Sequence, residues 1–290
     1  MSYKKAISMK KILVPVDFSD ASTNALRVAA QLAVRANASL YLLHVNERAP
    51  YIIPVSEYAY TSAPADLEAY DKEAEERMQN VKAVLLNEPR FSHLQVETGV
   101  EEGLLTTVVK TVTENEDIDL IVIGTLGASG WKETLVGSNT ERVIRHADCP
   151  VLVIPEGVRE LNIKRALVPS TLKPDQKGVF KVVKAWQDLL GFEVLALYIN
   201  DPLNAATNGS IEAEKKRLVE PVGLSEVYLH LYGPSLNEEA AILQYAGEAE
   251  ADMIVMSTHQ RRGLSHLLFG SITEDTANHA HLPVLAVPIA

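Results

Sequence analysis

Gly124 and Gly127, followed after nine residues by Gly137, Ser138 and Asn139, have the composition of a segment that holds an oxyanion. A residue without Cβ reaches positive φ and lets main chain approach a phosphate. A helix opening near Ser138 adds free N–H groups and the positive end of its dipole. Asp17 follows the apolar run Ile12 to Val16 and offers the complementary chemistry, an acceptor for a ribose hydroxyl or an adenine amine. Either feature alone is a weak signal; together they describe a site with an anion-holding end and a carboxylate end.

Such a site needs elements that bring residues 17 and 124 together. Short β-branched runs alternate with longer amphipathic stretches, the pattern of βαβ units and a parallel sheet. The spacing predicts strands at 11–16, 39–45, 93–98, 119–123 and 150–154. It predicts helices at about 20–35, with Ser19 or Asp20 as N-cap, and at 66–86. Ala25, Val28, Ala29, Leu32 and Ala33 stand three and four apart, so one face of the first helix packs on the sheet. In an open parallel sheet ligands lie beyond the carboxyl ends of the strands, where the strand order reverses. Asp17 and Gly124 each follow a strand there.

The chain then repeats. Leu13-Val14-Pro15 returns as Leu167-Val168-Pro169, an offset of 154, and Leu40 to Asn46 falls on Val194 to Asn200. Further on the offset is 133: Asp119 to Ile123 matches Asp252 to Met256, Gly137-Ser138 matches Gly270-Ser271, and Pro150-Val151-Leu152 matches Pro283-Val284-Leu285. The second copy is shorter by 21 residues, the difference between the two offsets, lost between Asn46 and Asp119. The short charged link at Glu156 to Leu161 divides the chain into domains 1–157 and 158–290, as its 290 residues suggest.

Composition narrows the partners. The formal charge of −11 disfavours nucleic acid and anionic membrane surfaces as partners, because no cationic cluster offsets it. Apolar runs end after five or six residues, far short of the roughly 20 needed to span a bilayer. The single Cys149 and the absence of a signal-peptide pattern lead us to expect a cytoplasmic protein. Cys149, before a buried strand, reads as a core thiol, and His44 as a hydrogen-bonded core group bordering the site. His259, His266, His279 and His281 lack the spacing of a zinc site, so no metal ligand is assigned. Trp131 fits a loop anchor or a cover for the ligand equally well.

The order Gly, two residues, Gly, nine residues, Gly, Ser resembles the nucleotide motif of the universal stress protein family. The opening Ile12-Leu13-Val14-Pro15-Val16-Asp17 and the close His146-Ala147-Asp148-Cys149-Pro150-Val151-Leu152-Val153 are similar to that family as well. The resemblance implies two tandem Rossmann-like α/β domains of the adenine nucleotide α-hydrolase type, each a five-stranded parallel sheet in order 3-2-1-4-5 flanked by helices. It implies an adenine nucleotide, ATP or else ADP or AMP, with Mg or Mn accompanying the phosphates. The implied site comprises Pro15, Val16, Asp17, Val45, Ile123, Gly124, Gly127, Gly137, Ser138, Asn139 and Thr140. Asp17 contacts adenine or ribose, Val45 bounds the adenine through its backbone, and Ser138 and Asn139 donate at the helix start. It also implies antiparallel pairing of the last strands, an intrachain pseudo-dimer, with a further homodimer of chains open.

In the second copy Ser257 and Gln260 replace Gly124 and Gly127, and Thr171 replaces Asp17, so a degenerate site is expected there; a shifted pocket using Gly263 and Gly270 is the alternative. The stretch Glu47 to Ala65, rich in Pro and Tyr, reads as a surface loop, a lid or a partner-binding element. No catalytic residue is assigned. Without a Gly-Lys-Ser/Thr loop, a Gly-x-Ser-x-Gly elbow or a water-positioning base, binding is better supported than turnover. The expected role is a regulatory or protective module in the stress response. A slow ATPase or autophosphorylating enzyme using the same pocket is the rival, and a nucleotide-independent scaffold the third reading.

Overall fold

The computed structural model describes residues 9–47, 63–125, 138–172, 176–199, 208–225, 227–232, 237–259 and 269–289. The first half contains β1 (Lys11–Pro15), α1 (Asp20–Ala36), β2 (Ser39–Asn46), α2 (Ala63–Leu86), β3 (Val96–Glu102), α3 (Leu105–Asn115), β4 (Leu120–Thr125), α4 (Ser138–His146) and β5 (Val151–Pro155). The second half repeats the order with β6 (Arg165–Pro169), α5 (Lys177–Leu190), β7 (Glu193–Ile199), α6 (Asn208–Leu218), β8 (Val227–Tyr232), α7 (Glu238–Glu248), β9 (Met253–His259), α8 (Phe269–His279) and β10 (Val284–Ile289).

All ten strands form one sheet in the order β3-β2-β1-β4-β5-β10-β9-β6-β7-β8, which is 3-2-1-4-5 from each end inward. Within each half the pairs are parallel. Successive residues of the central strands serve opposite layers. Ile12 and Val14 pack with α1 and α5 residues in one core, whereas Leu13, Ile121 and Ile123 pack with α3 and α4 in the other. Strands buried on both faces read as continuous apolar runs. Each half is also stapled alike: Asp119 Oδ2 accepts the N–H groups of Lys10 and Lys11 at 2.8 and 3.2 Å. Asp252 Oδ2 accepts those of Lys164 and Arg165 at 2.8 and 2.9 Å.

The third strand corrects the sequence expectation: it spans 96–102 instead of 93–98. Phe91 and Leu94 are buried, but in a turn closed by Phe91 N–H to Glu88 O and Leu94 N–H to Phe91 O, so their apolar character reports turn packing and not a strand. The polar stretch that follows, Val96 to Glu102, is the outer strand of the sheet among the described residues, and charged side chains suit such an edge. The segment 48–62, which carries most of the proposed loop or lid, lies outside the described residues, as do Trp131 and His266.

The last strands of the halves meet at the centre. Strand β10 runs antiparallel to β5, with Val284 opposite Val153, Leu285 opposite Leu152 and Ala286 opposite Val151. Leu152 and Leu285 are equivalents in the repeat, so the register is centred on an approximate two-fold axis. Side chains obey the same relation. Arg145 on α4 makes a two-pronged ion pair with Glu274 on α8, its Nε 3.0 Å from Oε1. Across the axis Asn278 Nδ2 donates to Glu141 Oε1 at 2.6 Å. Glu141 corresponds to Glu274 and Arg145 to Asn278, so the second contact is the first with its cation replaced by an amide. Arg145→Ala leaves the buried Glu274 carboxylate without its cation. Because Arg145 itself is one-third exposed, we expect a stability loss of about 1–2 kcal/mol, below that of a fully buried pair. Asn278→Ala should cost less, and urea unfolding of the two variants checks the order.

Candidate functional site

Strand order reverses between β1 and β4, and there the first half opens a cleft of about 380 Å³. Its floor comes from the ends of the strands: Pro15, Val16 and Asp17 after β1, Leu43 to Val45 from β2, and Ile123 to Thr125 from β4. Ala21 and Ser22 of α1, Leu105 of α3, and Asn139 and Thr140 of α4 complete it. Topology thus brings together Pro15, Val16, Asp17, Val45, Ile123, Gly124, Asn139 and Thr140. Ser138 begins α4, while Gly127 and Gly137 lie outside the described residues.

The turn from β1 into α1 is built around Asp17. Its Oδ1 accepts the backbone N–H of Ser19 at 3.0 Å, an Asx turn, and the Ser19 hydroxyl at 2.5 Å. Ser19 Oγ in turn accepts Ser22 N–H at 3.2 Å as the N-cap of α1. Partial burial pushes the Asp17 carboxyl up, but the hydrogen bonds from Ser19 and Ser22 outweigh it and hold the group below the ordinary carboxylate range. Between them Phe18 sits at φ +64°, a conformation costly for an aromatic residue, of order 1–3 kcal/mol. Its ring is held by the His44 ring, 4.5 Å away between centroids, and by the Arg77 guanidinium, 3.9 Å above it.

His44 ties β2 to the same turn. Its Nδ1 lies 2.6 Å from the Val16 carbonyl oxygen, which can only accept, so Nδ1 carries a proton. Nε2 lies 3.0 Å from Asn46 Oδ1, and Asn46 Nδ2 donates to Asp71 at 2.8 Å. After the end of β2, Glu47 Oε1 accepts Leu105 N–H at 2.9 Å, capping α3, whose Leu104 has no side chain to do so. The sequence reading did not single out Phe18, Ser19, Glu47, Leu43 or Leu105 for the site. An Asp two residues before a helix-capping Ser is a readable Asx-turn signal; the other four are recruited only by folding.

Gly124 needs a corrected role. It lies within β4, not in the loop after it, and a Cβ there would stand 2.2 Å from Ala21 O and 2.5 Å from Ala21 C. Its missing side chain admits the first turn of α1 and so shapes the cleft from beneath. The Gly124 carbonyl accepts the Thr140 hydroxyl at 3.4 Å, joining β4 to the start of α4.

The corresponding place in the second half holds only about 60 Å³. Ser257, equivalent to Gly124, accepts from Gln176 Nε2 at 3.2 Å, and Ser170 Oγ donates to Gln176 Oε1 at 2.5 Å. Gln176, buried to 5% exposure, fills the space the first half leaves open. Helix α5 starts eight residues beyond the end of β6, whereas α1 starts five beyond the end of β1, and Gln176, just before α5, is the residue that meets Ser257. The scaffold is otherwise the same: Leu172, equivalent to Phe18, has φ +53°, and the Thr273 hydroxyl donates to Ser257 O at 2.9 Å as Thr140 does to Gly124.

Other candidates have structural settings. Cys149 is buried and unbridged, and His279 Nδ1 faces Glu239 Oε1 at 2.6 Å. Among the described residues no group of three or more His, Cys, Asp or Glu could hold a metal ion, and no helix is long and apolar enough to cross a membrane.

Fold and site together define a tandem Rossmann-like α/β protein with a ligand-sized cleft at the switch point of its first half. The chain belongs to the universal stress protein family: the family model matches residues 9–155 and again 162–288. A universal stress protein of Methanocaldococcus jannaschii is 31% identical over 151 residues, covering 52% of this chain and 85% of that protein. One from Synechocystis is 25% identical across 96% of this chain and 99% of its own length, a relative of the same tandem extent. The crystal structure of a universal stress protein from Archaeoglobus fulgidus superposes with a TM-score of 0.74, covering 97% of this chain and 98% of that one at 19% identity, a likeness of fold.

Proposed function

We propose that this tandem universal stress protein binds one adenine nucleotide, ATP in the first place, in the cleft of its first half and acts as a nucleotide-responsive regulatory or protective module. The observation that supports this most directly is the contrast between two homologous places in one scaffold. One is a cleft of about 380 Å³ edged by an ionised carboxylate; the other is reduced to about 60 Å³ by Gln176. Ligand pockets for molecules of this size begin at roughly 300 Å³.

Electrostatics orients the ligand. Asp17 and Glu47 line one side, so phosphates placed there would be repelled, whereas a ribose hydroxyl or adenine amine would find an acceptor. The opposite side is the first turn of α4, with Asn139 and Thr140, where free N–H groups and the helix dipole favour an anion. Gly127, Gly137 and Ser138 extend that side along the chain, and Val45 borders the base. A divalent cation would be held mainly by the phosphates it accompanies. No Lys or Arg is among the described cleft residues, which fits binding better than rapid phosphoryl transfer.

Calorimetric titration with ATP and magnesium is expected to give one nucleotide per chain. Two sites of similar affinity would remove the asymmetry on which this reading rests, and no binding would remove the reading. Mass spectrometry of ligand released from freshly purified chain tests the choice of nucleotide.

A further inference from the structure

Ser19 links two structures that otherwise have no reason to be coupled: the cap of α1 and the carboxylate at the mouth of the cleft. Its hydroxyl proton points to Asp17 Oδ1, 2.5 Å away, while its oxygen accepts the Ser22 N–H at 3.2 Å. One hydroxyl therefore donates and accepts at once, and its orientation is determined by the helix end. The Ser19 N–H bonds the same carboxylate oxygen, at 3.0 Å. Both bonds fall on Oδ1. Neither Ser19 bond uses Oδ2, so the carboxylate is anchored through Oδ1 while Oδ2 keeps acceptor capacity for a ligand.

We propose that Ser19 is a positioning residue for nucleotide recognition: it clamps Asp17 through Oδ1 so that Oδ2 is presented, ionised, to a hydrogen-bond donor of the nucleoside. This rests on the reading of the cleft as a nucleotide site, and it adds a specificity rule. An ionised carboxylate only accepts, so the group it meets must be a hydroxyl or amine. The second half supports the pairing of roles. Where Thr171 replaces Asp17, the residue equivalent to Ser19 is Lys173, so carboxylate and clamp are missing together from the half whose cleft is filled.

The test uses the full chain and adenosine, whose lack of phosphates keeps phosphate titration out of the measurement. Ser19→Ala removes clamp and cap; Ser19→Gly removes the hydroxyl while largely sparing the helix start, since Gly is a tolerable N-cap. Ser19→Thr keeps a hydroxyl. Adenosine affinity at pH 7 is expected to fall about tenfold in the Ala and Gly variants and to return to within about twofold in Thr, the size expected for a bond to a charged group. In parallel, the carbon-13 carboxyl signal of Asp17 should titrate at higher pH in the Ala and Gly variants than in wild type or Thr.

A wild-type midpoint in Ser19→Gly, unchanged affinity in both hydroxyl-lacking variants, or a loss that Thr does not restore would overturn the positioning role. Failure of the wild-type chain to bind either adenosine or ATP overturns the nucleotide reading instead. The carboxyl titration then still decides whether Ser19 clamps Asp17.

Discussion

Gly124→Ala is expected to destabilise the chain by about 3 kcal/mol or more, at the upper end for a one-carbon addition. The added Cβ would stand 2.2 Å from a carbonyl oxygen and 2.5 Å from a carbonyl carbon of Ala21, both main-chain atoms. No rotamer change relieves such a contact; α1 must move as a unit. That helix is held by Ala25, Ala29, Leu32 and Ala33, all fully buried, so the shift would open the core beneath it. It would also displace Ser19 and Asp17, which sit on the same turn. Urea unfolding should show a lowered midpoint, and ATP titration a large loss of affinity. The reverse change, Ser257→Gly, removes one hydrogen bond to Gln176 and relieves no clash, so a much smaller cost, on the order of 1 kcal/mol, is expected. Equal costs at the two positions would show that the packing of α1 on β4 is not what demands glycine.

The second large effect concerns ligand affinity. Asp17→Ala should weaken ATP binding by about 30- to 100-fold, the loss of a hydrogen bond to a charged acceptor, with little change in global stability because the side chain is exposed. Asp17→Asn should be no better than Ala: Ser19 donates twice to the oxygen it faces, so the amide would turn its NH2 towards the ligand's own donor. The pH dependence follows from the lowered carboxyl. Since the group stays ionised down to below the ordinary Asp range, adenosine affinity should be level through neutral and mildly acid pH. It should fall only as pH drops through that depressed value. The contribution of Asp17 to folding stability has the same sign, present above the unfolded-state value and lost as pH falls through the folded one, and it is small for an exposed group. An affinity that falls already near neutrality would mean that another group is titrating.

Several of these features were legible in the chain before folding. Asp17 and Gly124 stand at strand ends because apolar runs of about five residues stop there, and their meeting at a switch point follows from the parallel pattern. An N-cap at Ser19 or Asp20 was readable from their place ahead of the periodic residues of α1, and folding chose Ser19. The third strand was not: Phe91 and Leu94 are apolar like a strand but are buried by a turn, and the outer strand's own residues are polar, as suits the edge of a sheet.

The sequence by itself determined the repeat, the alternation of strand and helix, and the loss of Asp17 and Gly124 chemistry from the second copy, because these reside in local periodicity and in residue type. Tertiary structure alone decided why Gly124 must lack a side chain, since the obstructing atoms belong to a helix a hundred residues earlier in the chain. It also decided that Gln176 fills the second cleft, that Phe18 is held at positive φ, and that Glu141 meets Asn278. Each of these depends on close approach between segments far apart in the chain, and no pattern along one segment records what another segment will press against it.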